Sequence, residues 1–427
     1  MITYQVKEFE RVPFKGNLGE DRRFILTPSR IKHLRNLEHL LPPNAVQWLS
    51  NGVRFQHYCG VISIGKEQIE ILPKITSCET RADLSREILI KMLYETKKIT
   101  PLKNRIAKMN YQSKYFIEIL IEPYLRELNA VLKQGLFKIY ALQSGSQTMV
   151  RGRLLFDQQI KSGYRGKGEF YCRYDEFIED NLCNQIIKKT LQFIGRFYLS
   201  PRTKRVVFQL LSRFHEVGEL SGTLKEAQTV GFQKERQPYK RIVEMSCWML
   251  SGLKPDVVSG SKISGAFLFD MNRLFEEYIA VKIAKITKDK NLFLKKQGVK
   301  KYLIHWQNQD KDLFRLIPDI VLFGTKDNKV KLIIDTKWKR VNTEGGRLGV
   351  EPSDIYQILA YSSRFQCKNV ILVYPGYKEH DLKRTVLNVK NSRQKIILRF
   401  IDLAGALKNN SRDSINHQLI EILSEVC

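Results

Sequence analysis

The sequence predicts a multi-domain chain of the α/β class, and three observations carry that prediction. At 427 residues it is longer than one hydrophobic core ordinarily organises. In the carboxyl-terminal third, β-rich runs and helical periodicity follow one another as strand, hairpin, helix, strand, the order of a mixed sheet covered by helices. Short strands dominate the opening and helices the middle. The chain therefore divides into a strand-rich segment with helices over 1–147, a mostly helical connector over 148–264 and the α/β segment over 265–427.

In the first segment, ITYQVKEFE, RRFILT and VRFQHYCGVISIGKEQIEILPKI read as short strands. The last of these holds two β-rich runs around a Gly-Lys turn, which makes a hairpin. Helical spacing follows at Leu84, Ile88, Leu89, Met92 and Leu93, and again from Tyr115 to Leu136, where Pro123 is expected to kink or restart the helix. The second segment opens with VRGRLLFDQQI as a basic strand, followed by GYRGKG. The glycines at 163, 166 and 168 read as a loop, because no strand-to-helix context makes them a nucleotide fingerprint. Three helices then cover NLCNQIIKKTLQFIGRFYL, TKRVVFQLLSRF and YKRIVEMSCWMLSGL.

The third segment opens on a helix whose Met271, Leu274, Phe275, Tyr278 and Ile279 fit the spacing of a buried face, with Glu276 and Glu277 flanking it. Strands are expected around Leu292–Leu294 and Tyr302–Trp306, then a hairpin, then the glycine-rich stretch NTEGGRLGV. Pro352 suits the first turn of the next helix, on which Gln357 and Tyr361 share a face with Asp354. VILVYP and KIILRFIDL read as further strands, and a helix closes the chain.

The hairpin IPDIVLFGTKDNKVKLIIDTKW concentrates the chemistry. With the turn at Asp327-Asn328, Asp319 falls within one residue of facing Asp335, and Lys337 shares the sheet face of Asp335. Facing residues have β-carbons roughly 4.5–5.5 Å apart, a span that one divalent cation bridges. Two carboxylates are the hard ligands that Mg²⁺ takes, and a lysine beside them is expected either to orient a metal-bound water or to stabilise a developing oxyanion. Both acids adjoin apolar runs, where an unpaired carboxylate is costly.

Bulk composition narrows the substrate class. Lys and Arg number 72 against 44 acidic residues, a net charge of +28 spread along the chain, which favours a polyanionic partner. No apolar run approaches the ~20 residues that cross a bilayer and no secretory leader opens the chain, so a cytoplasmic protein with no membrane partner is expected. The 7 cysteines form no C-x-x-C pair and read as reduced, buried thiols.

Pro318-Asp319 and Asp335-Thr336-Lys337 resemble the PD-(D/E)-x-K nuclease motif, and Gln357 with Tyr361 is similar to the QxxxY helix of its RecB-like branch. GVISIGKEQIEILPKI, VRGRLLF, CRYDEF, MNRLFEEYIA, the PD…DTKWK pair and SDIYQILAY, in this order, together resemble the McrC family, the nuclease subunits of McrBC-type modification-dependent restriction systems. That resemblance implies a restriction-endonuclease-like core with a mixed sheet and a Mg²⁺-dependent DNA endonuclease. Its implied partners are a McrB-like AAA+ GTPase and double-stranded DNA bearing modified cytosine such as 5-methylcytosine. The amino-terminal region is expected to dock into the GTPase ring, and GTP is expected on that partner, since no G-x-x-x-x-G-K-[ST] occurs in this chain.

By the same resemblance Asp319 and Asp335 are metal ligands and Lys337 the catalytic lysine, with Gln357 and Tyr361 in support. Glu276 is a further acidic contributor to the metal, and Glu277 is its competitor for that place. Two other readings stay open: a stand-alone RecB-like repair or recombination nuclease, and a non-catalytic DNA-binding adaptor.

Overall fold

The third segment opens not on the expected helix, which begins only at Met271, but on a strand, Ser264–Asp270, which finds its partner far upstream, in Tyr58–Ile64. Together with Glu67–Leu72 and Thr3–Lys7 they form a four-stranded sheet, the first strand parallel to Glu67–Leu72 and the other two pairs antiparallel. Tyr58–Ile64 and Glu67–Leu72 are the two arms of the expected hairpin. Gly60 makes the distant pairing possible. Its φ is 145°, and a β-carbon there would lie 2.0 Å from the Phe267 carbonyl oxygen.

The structure is a computed structural model that describes residues 3–14, 26–38, 41–64, 67–74, 82–96, 115–161, 168–232, 236–251, 264–288, 291–339, 341, 349–376, 384–407 and 414–424. GYRGKG, Gly168 aside, and nearly all of NTEGGRLGV lie outside these residues. The chain forms two compact units, one from Met1–Leu120 with Pro255–Cys427 and the other from Ile121–Lys254. The expected segment 1–147 is thus shared between the units, and the 265–427 segment belongs with the chain's opening.

The first unit's second sheet has six strands in the order Leu292–Lys296, Ile320–Gly324, Val330–Thr336, Asn369–Gly376, Lys395–Asp402, Arg384–Asn388. It is mixed, as expected: Val330–Thr336, Asn369–Gly376 and Lys395–Asp402 run parallel, and the outer pairings are antiparallel. The Pro352–Phe365 helix links two of the parallel strands and packs Ile358, Tyr361 and Phe365 onto Ile333, Val370 and Leu372. A ligand site in such a sheet belongs at the carboxyl ends of its parallel strands, where Asp335 and Thr336 lie.

The Met271–Thr287 helix buries all five expected positions, Met271, Leu274, Phe275, Tyr278 and Ile279, and Asp270 caps its amino terminus by accepting from the backbone N–H groups of Asn272 and Arg273. A second, two-stranded ribbon, Lys301–Trp306 with Lys311–Leu316, precedes the central hairpin. Only its first arm was expected from sequence, because the reversal uses Asp310 at φ 47° in place of a glycine or Asn-Gly signal.

In the second unit the three expected helices are present as Leu182–Ile194, Pro201–Leu211 and Gln237–Ser251. The basic stretch after Val150 supplies only a two-residue strand, Arg153–Leu154, before a helix over Phe156–Lys161. Phe170–Ile178 pairs with it and with Ile139–Gln147 in a three-stranded sheet. That sheet displays Tyr140, Leu142 and Phe177 to solvent, with the Tyr140 and Phe177 rings 4.8 Å apart. The helix expected to kink or restart at Pro123 does not restart there: one element runs through the proline from Phe116 to Leu132. Among the described residues no helix is long and apolar enough to cross a membrane.

Candidate active site

The central hairpin turns at the expected place, with Asn328 at φ 51° and its N–H donating to the Gly324 carbonyl. Ile320 pairs with Ile334 and Val321 with Ile333, so one further step sets Asp319 opposite Asp335. A bulge between Leu322 and Phe323 shifts the register only nearer the turn, away from the acids. Thr336 then fixes Asp319. Its backbone N–H and its hydroxyl both donate to Asp319 Oδ2, each at 2.8 Å.

Asp335 is 2% exposed. Burial, and then the neighbouring Asp319 charge, push its carboxyl up to about 7. Asp319 is raised as well, by burial, against the lowering effect of the Thr336 donors. Lys337 lies on the same side, its Nζ 2.7 Å from Asp335 Oδ2. The contact is an ion pair whose positive charge lowers the Asp335 carboxyl against the larger effect of burial.

The lysine is held from behind by the QxxxY pair. Lys337 Nζ donates to Gln357 Oε1 at 2.7 Å, Gln357 Nε2 donates to the Tyr361 hydroxyl at 2.8 Å, and that hydroxyl donates to the Ile317 carbonyl at 3.2 Å. Burial and the Asp335 charge raise the Tyr361 phenol, which keeps it protonated as a donor. This relay begins two residues before Asp319 and ends at Asp335, so it spans both arms of the hairpin.

Glu276 approaches from the Met271–Thr287 helix. Burial, then the Asp319 charge, raise its carboxyl to about 7. Its Oε2 accepts from Gln297 Nε2 at 2.9 Å, and its buried Oε1 has no hydrogen-bond partner among the described residues. Glu277 is engaged elsewhere, 3.3 Å from Arg273 and 3.5 Å from Lys296. Of the two adjacent acids it is Glu276 whose carboxyl is raised by the Asp319 charge.

Four contributors escaped the sequence reading. Thr336 was visible only as the middle residue of DTK, and nothing local assigns its hydroxyl to Asp319. Gln297 sits in a turn outside any periodic stretch. Lys339 donates to Asp354 at 3.1 and 3.3 Å and to Glu351 at 2.6 Å, tying the strand's exit to the helix that carries Gln357. The Tyr374 hydroxyl also donates to Asp354 Oδ2, at 3.1 Å. The signal for Lys339 was its place two residues after Lys337 in DTKWK.

The donor set suits a hard divalent cation on three counts: all the acids offer oxygen, burial penalises their charges, and Glu276 Oε1 is buried and unmatched. It is not a closed cage. Among the described residues no three His, Cys, Asp or Glu side chains are gathered closely enough to hold an ion by themselves.

A family model described as McrBC 5-methylcytosine restriction system component matches residues 53–375. No curated protein matches the chain. Among solved structures, the chain is similar to the refined half-complex from the tetradecameric assembly of Thermococcus gammatolerans McrB AAA+ hexamers with bound McrC, at 16% identity and a TM-score of 0.65, covering 98% of this chain and 100% of that one. It is also similar to the Thermococcus gammatolerans McrBC complex, at 17% identity and a TM-score of 0.46, covering 66% of this chain and 87% of that one.

Proposed function

This chain belongs to the family of McrBC 5-methylcytosine restriction system components, and on that premise we propose that it is the DNA-cutting subunit, a Mg²⁺-dependent endonuclease that works with an AAA+ GTPase ring. The observation that carries the reading is the opposition of Asp319 and Asp335 with Lys337 beside them, fixed by Thr336 and Gln357. Asp319 and Asp335 would hold the ion, with Glu276 contributing its charge beside them, and the ion when bound would supply a more acidic water and neutralise charge on the phosphate. Thr336 fixes the Asp319 carboxylate by donating its N–H and its hydroxyl to Oδ2. Lys337, kept from swinging away by Gln357, offers its ammonium to charge developing on the scissile phosphate. Gln357→Ala is therefore expected to slow cleavage roughly 10–100-fold with little loss of DNA affinity, as read by single-turnover cutting and filter binding.

Two surfaces fit the wider reading. The Lys301–Leu316 ribbon leads straight into Asp319 and exposes Tyr302, Ile304, Trp306 and Phe314 among Lys311 and Arg315, a mixture suited to a nucleic-acid backbone and bases. It is pinned to the Pro352–Phe365 helix, since Arg364 Nε donates to the Tyr302 carbonyl at 2.6 Å. The exposed Tyr140–Phe177 sheet of the second unit is an apolar patch of the kind that meets another protein. Our proposed occupant is an AAA+ hexamer, of the kind present in the similar Thermococcus gammatolerans assembly of McrB AAA+ hexamers with bound McrC.

The deciding experiment combines the purified chain, its AAA+ partner, GTP, Mg²⁺ and duplex DNA carrying 5-methylcytosine. Cutting is expected only with all five present. Cutting of plain DNA by the chain and Mg²⁺ alone would make it a stand-alone nuclease. Stimulation of the partner's GTPase with no cutting at all would make it an adaptor.

A further inference from the structure

Trp338 directly follows the Asp335-Thr336-Lys337 triplet, is 4% exposed, and donates its indole Nε1 to Glu8 Oε2 at 2.8 Å. Glu8 lies just past the first strand of the chain and is itself 1% exposed. The Cys59 thiol also donates to Oε2, at 3.7 Å, and the His57 backbone N–H reaches the same carboxyl. The His57 carbonyl in turn accepts from the Met271 N–H at 2.9 Å, at the start of the helix that bears Glu276. On the other side of the indole stands Phe275, in an edge contact with a 5.4 Å ring separation, one residue before Glu276.

A carboxyl in this place is not explained by packing. Burial pushes it up to about 7, and an apolar side chain of similar volume would fill the space without that penalty. What a carboxyl offers and a leucine cannot is an acceptor for the indole and for the His57 N–H. These are the attachments of the two elements that bring Lys337 and Glu276 to the site.

We propose that Glu8 is a positioning residue for the DNA-cutting site: by holding the Trp338 indole against Phe275 it sets the spacing between the Asp335–Lys337 strand end and the Glu276 helix. The inference rests on the nuclease reading above. It assigns to the opening strand of the chain a role in cutting, separate from any docking of a partner. Displacements near 1 Å at a reacting centre cost about 10²-fold in rate, so the bond matters to catalysis out of proportion to its own strength.

The test uses the full chain assembled with its AAA+ partner, on 5-methylcytosine duplex with Mg²⁺ and GTP. Glu8→Leu and Trp338→Phe are each expected to lower kcat about 10²-fold, leaving KM for DNA and the partner's GTPase rate unchanged. Glu8→Gln keeps the acceptor and should retain most of the rate. The double variant Glu8→Leu/Trp338→Phe should be no slower than the slower single variant, because both remove one bond. Thermal midpoints of all four variants confirm folding, and Trp338→Phe preserves the packing on Phe275 if Glu8→Leu does not fold. Wild-type kcat in folded Trp338→Phe or Glu8→Leu, a Gln variant as slow as the Leu variant, or losses that multiply in the double variant would each overturn the proposal. If the wild-type assembly itself does not cut, the nuclease reading fails and takes this inference with it.

Discussion

Asp335→Asn is expected to reduce DNA cleavage at least about 10³-fold while making the metal-free protein more stable. The first half follows from charge. Asparagine keeps the shape of the side chain but removes the anion opposite Asp319, so the pair loses half of its attraction for a hard cation. The second half follows from burial. The Asp335 carboxyl is raised to about 7, so at pH 8 the folded protein carries a buried charge that the unfolded chain holds in water at no such cost. A neutral amide removes that penalty, on the order of a few kcal/mol, partly offset by the lost Lys337 contact. Lys337 is not stranded, because Gln357 still accepts from it. Single-turnover cutting and calorimetric melting in chelator, both at pH 8, check the two halves. A variant that loses activity and also melts earlier would show Asp335 to be a structural ion-pair partner instead.

The second expectation concerns the native chain without metal: its thermal midpoint falls as pH rises from about 5 to about 8, and Mg²⁺ restores it. The sign is fixed by linkage. Asp335 and Glu276 both reach about 7 when folded, against ordinary values near 4, so between those limits the folded state binds more protons than the unfolded one. Stability is then lost as pH climbs through that window, and the loss is complete above about 7. Glu8, also raised to about 7, adds to the slope. A divalent cation replaces the protons on Asp335 and Glu276 but not on Glu8, so the rescue should be large at pH 8 and small at pH 5, with apparent Mg²⁺ affinity rising over the same interval. Scanning fluorimetry at four pH values, with Mg²⁺ or chelator, measures it. Equal Mg²⁺ shifts at pH 5 and pH 8 would detach the carboxylates from metal binding.

The parts of this arrangement legible in the sequence were those written in local order. The hairpin register follows from one turn and two β-rich arms, so the opposition of Asp319 and Asp335 was within reach of counting. Gln357 and Tyr361 lie one helical turn apart, and the hydrogen bond between them is what that spacing allows. Periodicity failed to separate Glu276 from Glu277, because adjacent residues point about 100° apart and this helix is buried on both sides. The resolution came from Arg273 and Lys296, of which Lys296 lies outside the helix, on the strand Leu292–Lys296. The Glu8–Trp338 bond joins residues with no shared local pattern, and no propensity scale brings them together. The Lys301–Leu316 ribbon was half seen, for want of a glycine at its tip.

The first unit is assembled from the chain's two ends, Met1–Leu120 and Pro255–Cys427, with Ile121–Lys254 interposed. An interposed body of this kind can be exchanged as a cassette while the sheets around it keep their own pairings. A fragment starting at Gly265 leaves the Gly265–Asp270 edge without its partner strand Tyr58–Ile64, and would be recovered as aggregate instead of as a free-standing nuclease.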